Sequence, residues 1–237
     1  MMPDPMAKME TELMSGRELL LSIDNGSTKT SISFAVPNPD EIELPVIRPL
    51  CFKDGEVDCP MIIGEYQPDG TLTEGYDLKK KLDQGVLNEC DIVRYAKLAL
   101  HHDEETREIR ERVEAYTKAR GMTPEDLIAA YYASVVRKSK EIIKQMGYDE
   151  DIDKMPLKLF ISYPVIWSAL TRGALKRAAE KISDSSVLVP EPLCAAASIM
   201  LDEIMKAGKE KMKIKLKVSI QFAVLERVAQ YHRQGIT

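Results

Sequence analysis

Apolar and polar positions alternate early in the chain, as they do in strands. Residues 19–24 and 30–36 are two apolar, β-branched runs on either side of a polar turn that contains Asn25 and Gly26. Asn-Gly between two such runs is the strongest short-range indication of a β-hairpin. A further strand is predicted at 45–50. The start of the chain therefore predicts an antiparallel hairpin with a neighbouring strand.

The middle of the chain has the spacing of helices. Apolar residues recur at helical intervals over 92–100, and Asp91 is placed to cap that helix. The charged run at 104–118 predicts an exposed helix or extension. Thr-Pro-Glu-Asp at 123–126 has the capping residue, proline and acids of a helix start, and this helix is expected to end near residue 146.

After residue 156, stretches with the spacing of strands alternate with stretches that have the spacing of helices. This alternation predicts a strand at 157–163, a helix at 169–182, a short strand at 187–189 and a helix from 191 to about 205. Strand, helix, strand, helix is typical of parallel strands joined by right-handed crossovers. We therefore predict an α/β fold in which the early hairpin joins a mixed sheet with helices.

The domain organisation follows from where the strands lie. The polar, acidic start of the chain lacks the apolar core of a secretory signal, so we expect a disordered leader there. Mostly helical sequence separates the two groups of strands and is interpreted as an inserted subdomain. The predicted units are a leader at 1–17, a core subdomain of 18–51 and 152–207, an inserted subdomain at 52–151 and a divergent tail at 208–237.

Composition narrows the possible partners. The 237 residues carry a formal net charge of −5, so we expect attraction neither to nucleic acid nor to an anionic membrane. The sequence has no apolar run of about 18 residues, the length needed to span a bilayer. We therefore expect a cytoplasmic protein.

The metal-binding residue types do not form a recognisable motif. The cysteines contain no C-x-x-C pair, so free thiols are expected rather than disulfides or zinc at Cys51, Cys59, Cys90 and Cys194. His101 and His102 lie beside three acidic residues. Neighbouring residues on a helix point about 100° apart, so we expect a solvated charged face there and not a metal site.

The hairpin turn carries unusual chemistry for its length. A glycine lets the backbone curl so that N–H groups point into one concavity, which suits an anion. Hydroxyl donors, a lysine and a carboxylate that could hold a hydrated Mg²⁺ accompany it. The turn is therefore either a phosphate-binding turn or a plain polar turn; its residues are Asp24, Gly26, Ser27, Thr28 and Lys29.

Two more motifs follow the carboxyl ends of predicted strands, where ligands usually bind in open α/β sheets. The first is Ser-Tyr-Pro-Val-Ile-Trp-Ser at 162–168, and the second is Val-Pro-Glu-Pro-Leu-Cys-Ala-Ala-Ala at 189–197. Pro-Glu-Pro places the carboxylate of Glu191 in the first turn of a helix, where the helix dipole favours it. The alternative is simply a well-capped helix.

Taken in order, these motifs resemble one family. A hairpin with D-x-G-[ST]-T, a strand that ends in proline, and V-x-E-P-x-A-A are similar to the ATPase domain of the seventy-kilodalton heat-shock (DnaK-type) chaperones. The likeness is to divergent members of the kind abundant in fungi, and it covers about residues 20–200. The resemblance implies the first lobe of an actin-like ATPase, with a ribonuclease H-like fold, and ATP and Mg²⁺ as cofactors.

The resemblance assigns roles to the hairpin. Asp24 matches the carboxylate that binds Mg²⁺ through water. Gly26, Ser27 and Thr28 match the turn that wraps the ATP phosphates. Lys29 lies in the same cofactor-binding turn, at a position where the chaperones usually have an aromatic residue.

The resemblance also implies catalytic and relay residues. The segment 92–98 is similar to the one that carries the catalytic lysine, so Lys97 would orient the attacking water and the γ-phosphate. The alternative is a solvated lysine on an amphipathic helix. Glu191 matches the carboxylate that helps to place Mg²⁺ and water. Pro164 and Arg172 match an allosteric relay that reports the nucleotide state.

One part of the family pattern is missing. The family has a second phosphate motif, D-x-G-G-G-T, whereas residues 208–237 have a Lys-rich stretch and no such motif. Catalysis needs both walls of the phosphate site, because positioning and electrostatics supply nearly all of the rate. We therefore expect an ATPase domain truncated after its first lobe, which binds ATP or ADP at best weakly and does not hydrolyse ATP alone.

Other functions are compatible with the sequence. A first lobe without the second lobe would expose a partly apolar face, to be covered by the tail or by a partner protein. The chain could then be a non-catalytic interaction module or a degenerate paralogue. The third hypothesis is a sugar-kinase-like enzyme of the same superfamily. The P-E-P-x-x-A-A motif argues against it, because this motif fits the chaperones better.

Overall fold

The computed structural model describes residues 18–37, 46–53, 55–64, 72–148 and 150–194. The predicted leader and tail lie outside these residues. So does the part of the last predicted helix beyond residue 194, although the helix does begin at Glu191 as expected.

The described chain forms a mixed α/β structure with two sheets. The strands are β1 Leu19–Asn25, β2 Lys29–Ala35, β3 Arg48–Pro49, β4 Asp58–Pro60, β5 Ile62–Gly64, β6 Thr73–Glu74, β7 Ile92–Arg94, β8 Leu157–Tyr163 and β9 Val187–Pro190. The larger sheet has the order β3-β2-β1-β8-β9, and β4 also pairs with β2. The smaller sheet has the order β6-β5-β7.

The helices lie between and after these strands. Besides the helix that begins at Glu191, four α-helices lie wholly within the described residues: α1 Tyr76–Asp83, α2 Arg107–Lys118, α3 Pro124–Gln145 and α4 Ala169–Glu180. Short 3₁₀ helices occupy Glu89–Asp91, Ala96–Leu100, Glu104–Thr106 and Glu150–Asp153. The predicted helices at 123–146 and 169–182 are thus confirmed, with bounds that differ by a few residues. Of the two alternatives at 104–118, an exposed helix or an extension, the structure has a helix, although Val113, Tyr116 and Thr117 on it are buried.

The register of the large sheet confirms the predicted hairpin and the parallel strands. β1 and β2 are antiparallel, and their last pair is Asn25 with Thr30. β8 runs parallel to β1, and β9 runs parallel to β8. A mixed sheet results, in which the carboxyl ends of β1, β8 and β9 lie along one edge.

The long helix α3 is fixed at its start by its own sequence. The Thr123 side chain accepts a hydrogen bond from the backbone N–H of Asp126, and the Asp126 carboxylate accepts one from the N–H of Thr123. This reciprocal capping box satisfies two donors that a helix start leaves unpaired. Further along, α3 buries an apolar stripe in the same hydrophobic cluster as residues of β1, β2 and β8.

The predicted helix at 92–100 is wrong. Its first three residues form β7, which pairs with β5, and the helical part is only the 3₁₀ turn Ala96–Leu100. Between them, Tyr95 adopts a left-handed conformation with φ of 59°. Asp91 does not cap this segment, because its carboxylate accepts a hydrogen bond from the N–H of Asn88 in the preceding turn. Pairing with β5 thus overrides the helical spacing.

Of the strand predicted at 45–50, the structure describes residues 46–50. Among these, Arg48–Pro49 forms β3 and pairs with β2, and the Leu50 N–H donates a 2.9 Å hydrogen bond to the Ile32 carbonyl. The four cysteines form no disulfides. Within the described ranges, no helix has both the length and the apolar character needed to cross a bilayer.

Candidate functional site

Two polar side chains meet where the parallel strands β1 and β8 end. The Ser162 hydroxyl donates a 2.6 Å hydrogen bond to the Asp24 carboxylate. Asp24 is exposed and Ser162 is buried, so the serine holds one carboxylate oxygen while the group still faces solvent. The motif at 162–168 places Ser162 at the end of a predicted strand, where ligands usually bind, but the sequence assigns no role to Ser162 itself.

The hairpin turn follows Asp24 directly. Gly26 does not adopt a positive φ, so the turn does not require glycine here for a left-handed backbone conformation. The reason for glycine is a close approach, because a Cβ built at Gly26 would lie 2.8 Å from the backbone oxygen of Lys29. The Thr28 carbonyl accepts a 2.9 Å hydrogen bond from the Met61 N–H, which holds the far side of the turn.

The structure gives Lys29 a partner on β4. Its ammonium lies 3.3 Å from Asp58, whose carboxylate also accepts a 2.5 Å hydrogen bond from Ser31. The bonds from Ser31 and Lys29 lower the pKa of Asp58. Lys29 therefore lies on the outer side of the hairpin, whereas Asp24 lies at the edge shared with β8.

Lys97 is the most unusual side chain in the region, because only 2% of it is exposed. Its ammonium donates a hydrogen bond to the backbone carbonyl of Asn25 and lies 3.5 Å from a carboxylate oxygen of Glu191. The alternative of a solvated lysine on an amphipathic helix is therefore wrong. We call Asp24, Lys97, Ser162 and Glu191 the Lys97 site.

Burial and charge act in opposite directions on Lys97. Burial lowers the pKa of Lys97, while the carboxylates of Glu191 and Asp24 oppose that shift. Glu191 is 42% exposed, so it links the buried ammonium to solvent. A buried ionisable group with a perturbed pKa and specific charged partners is typical of functional sites.

An aromatic layer covers the other side of the lysine. The Lys97 ammonium lies 5.0 Å from the centroid of the Trp167 ring, within the range of a cation–π contact. His101 stacks on Trp167 with ring centroids 6.0 Å apart and lies 2.8 Å from the Asp103 carboxylate. The expectation of a solvated face is thus wrong for His101, because pairing with the Trp167 ring buries it.

The residues predicted as a relay lie beside this layer. Pro164 is half-buried, and its carbonyl accepts a 3.1 Å hydrogen bond from the Trp167 N–H. The Arg172 guanidinium carbon lies 5.7 Å from the centroid of the Tyr163 ring. Pro164 is therefore connected to the Lys97 site through Trp167, whereas Arg172 contacts the last residue of β8.

The carboxylates of Asp24 and Glu191 are better suited to bind a metal ion through its water molecules than to coordinate the ion directly. In the part of the chain that the structure describes, no three or more His, Cys, Asp or Glu side chains form a metal-binding group. Mg²⁺ usually keeps several waters and takes one or two carboxylates together with phosphate oxygens. Asp24 and Glu191, which both act on Lys97 electrostatically, fit that requirement.

Comparisons with known proteins do not assign a family. No protein-family model matches the chain, and no curated protein matches it. Function is therefore inferred from the geometry of the Lys97 site and from the motifs of the sequence.

Proposed function

We propose that this chain binds the phosphates of a Mg²⁺-nucleotide at the Lys97 site, as the phosphate-binding lobe of a chaperone-like ATPase with an actin-like fold. The observation that carries the proposal is the buried ammonium of Lys97. It lies between the Asn25 carbonyl and the Glu191 carboxylate, next to the hairpin turn. A fixed cation beside a glycine-containing turn is suited to phosphate.

Each part of the site would have a definite task. The N–H groups and hydroxyls of the turn at 26–28 would bind phosphate oxygens, and Lys97 would supply a positive charge held in a low-dielectric position. Asp24 and Glu191 would hold water molecules of a hydrated cation. Mg²⁺, when bound, would neutralise part of the phosphate charge.

Binding without hydrolysis is the activity that these residues support. In-line hydrolysis requires donors on both sides of the γ-phosphate and a positioned water. The sequence contains no D-x-G-G-G-T motif, and no two glycines are adjacent anywhere in it. We therefore assign Lys97 and Glu191 to phosphate and cation binding, with turnover requiring groups from elsewhere.

Titration calorimetry with Mg·ATP and Mg·ADP tests the proposal. The wild-type protein should bind both, and Asp24→Asn should abolish or strongly weaken binding. Asp153→Asn is the matched control, because this exposed carboxylate lies in an ion pair with Lys144, outside the Lys97 site. Absence of heat with the wild-type protein, or equal binding by the two variants, would contradict the proposal.

A non-catalytic interaction module is the second candidate. It is favoured by three large apolar side chains exposed beside the relay segment, Val165, Ile166 and Leu170. Such a module would give no heat with either nucleotide. The same calorimetry therefore separates the two candidates.

A further inference from the structure

A buried polar network connects the hairpin to the long helix α3. The amide nitrogen of Asn25 donates a 2.9 Å hydrogen bond to the hydroxyl of Tyr132. The Thr30 hydroxyl donates to the amide oxygen of Asn25 at 3.3 Å and lies 2.7 Å from the hydroxyl of Tyr131. The two tyrosines are consecutive residues of α3, so one turn of this helix supports the end of the hairpin.

The network is fully removed from solvent. Asn25, Thr30, Tyr131 and Tyr132 all have zero exposed area, and burial raises the pKa of both tyrosines. A buried polar group that loses its partner retains the full cost of desolvation. Each of these hydrogen bonds therefore strongly restricts the positions that the side chains of its two partners can adopt.

Asn25 connects this network to the Lys97 site. Its side chain is held by Tyr132 and Thr30, while its backbone carbonyl accepts the hydrogen bond from the Lys97 ammonium. Because the peptide group is planar, fixing the side chain and the strand pairing of Asn25 also restricts where that carbonyl points.

We propose that Tyr132 is a positioning residue that fixes the Lys97 ammonium in the site by holding Asn25. Tyr132 itself contacts Asn25 and not the lysine, so it acts through the asparagine. The inference concerns the site of the proposed function. The contacts on which it depends, however, exist without any nucleotide.

The neighbouring tyrosine provides a matched control. Tyr131→Phe and Tyr132→Phe each remove one buried hydroxyl from adjacent positions of the same helix. In Tyr131→Phe, Thr30 can still donate to Asn25, and Asn25 keeps both side-chain partners. In Tyr132→Phe, the Asn25 amide loses the acceptor of its hydrogen bond. The two variants therefore differ in their effect on Asn25.

Competitive acetylation of the full-length chain, read by mass spectrometry, measures the consequence at Lys97. The rate at Lys97 is divided by the rate at Lys138, a partly buried lysine of α3 that pairs with Glu74. Dividing by the rate at Lys138 corrects for any general increase in lysine accessibility caused by a less stable fold. Loss of one hydrogen bond of about 1 kcal/mol corresponds to about a fivefold change in an equilibrium.

We expect Tyr132→Phe to raise the Lys97 to Lys138 ratio by about fivefold or more, and Tyr131→Phe to leave it near the wild-type value. Equal ratios in the two variants, whether raised or unchanged, would overturn the proposal. A purely structural role of Tyr132 would lower the thermal midpoint without changing the ratio.

A second variant keeps the test valid where Tyr132→Phe does not fold. In Asn25→Leu/Tyr132→Phe, both partners become apolar, so no buried amide or hydroxyl is left without a partner. The same rise in the acetylation ratio is expected, and an unchanged ratio would overturn the proposal. The acetylation experiment uses no nucleotide. A negative result would therefore overturn the role of Tyr132 without deciding whether the protein binds nucleotide, which calorimetry tests separately.

Discussion

The ammonium of Lys97 donates a hydrogen bond to the backbone carbonyl of Asn25, a residue 72 positions earlier in the chain. This contact joins the start of a 3₁₀ turn to the end of strand β1. It also places a buried cation beside the hairpin turn and the Asp24 carboxylate. The proposed phosphate site depends on this relationship more than on any single motif.

The buried lysine predicts a particular pH dependence of stability. The pKa of Lys97 in the folded protein lies below its ordinary value of 10.5 because of burial. Between these two values the unfolded chain holds a proton that the folded protein has lost, so the free energy of unfolding rises with pH. Lys97→Met should lack this rise, which denaturant unfolding at a series of pH values below 10.5 would measure.

Lys118→Met is the control for that experiment, since Lys118 is an exposed lysine of α2. It should keep the wild-type pH dependence. Identical slopes for the wild-type protein and Lys97→Met would show that the lysine is solvated rather than buried.

The hairpin turn predicts a strong effect at Gly26. A methyl group there would lie 2.8 Å from the backbone oxygen of Lys29, and forcing an atom into such a space costs about 1–3 kcal/mol. Gly26→Ala should therefore lower the free energy of unfolding by about that amount and weaken nucleotide binding. Thermal unfolding and calorimetry measure the two effects.

Gly173→Ala is the matched control, because it adds the same methyl group within α4. The nearest atom in that case is a flexible Arg177 nitrogen at 3.5 Å. Replacing a helix-interior glycine by alanine should stabilise the protein by about 0.5–1 kcal/mol. A Gly26→Ala variant as stable as this control would contradict the close packing of the turn.

The single tryptophan of the chain is a built-in reporter of the site. Trp167 lies with its ring centroid 5.0 Å from the Lys97 ammonium, so a phosphate that engages Lys97 changes the electrostatic environment of the indole. Mg·ATP should shift or quench Trp167 emission with a saturable dependence on concentration. The change should disappear in Lys97→Met, and its persistence there would place the nucleotide elsewhere.

The capping box of α3 predicts how the protein responds to acid. Hydrogen bonds from Lys181 and Thr123 lower the pKa of Asp126 from 3.8 to about 2. This stabilisation is present above pH 3.8 and is lost as the pH falls towards about 2. Asp126→Asn should therefore lose less stability than the wild-type protein over this range, as followed by circular dichroism.

Asp184→Asn, which changes an exposed carboxylate after α4, is the control and should unfold in acid like the wild-type protein. If Asp126→Asn retains the wild-type acid dependence as well, the ion pair with Lys181 does not contribute in solution.

Local sequence was sufficient to predict the elements whose ends are marked by a turn or a capping motif. The hairpin is specified by Asn25-Gly26 between two apolar runs, and α3 by its capping box. The segment 92–100 could not be predicted in the same way. Its strand forms by pairing with β5, and its 3₁₀ turn depends on the left-handed conformation of Tyr95.

The site was predictable only through the motifs. The resemblance predicts that Asp24, Lys97 and Glu191 act at one phosphate and cation site, and the structure brings Lys97 within 3.5 Å of Glu191. The supporting residues Ser162, Asn25 and Trp167 were missed as site residues because their contacts arise only from tertiary packing. Lys29 was assigned to the phosphate turn, and its ion pair with Asp58 is equally invisible in the sequence.

The most direct test of the account is the thermal midpoint of the wild-type protein and Asp24→Ala, each with and without millimolar Mg·ATP. A ligand that binds only the folded state raises the free energy of unfolding by RT ln(1 + [L]/Kd), which is about 2.7 kcal/mol when its concentration is about 100 times its dissociation constant and less for weaker binding. We expect a clear upward shift for the wild-type protein and none for Asp24→Ala. No shift in well-folded wild-type protein, or an equal shift in both proteins, would contradict nucleotide binding at the Lys97 site.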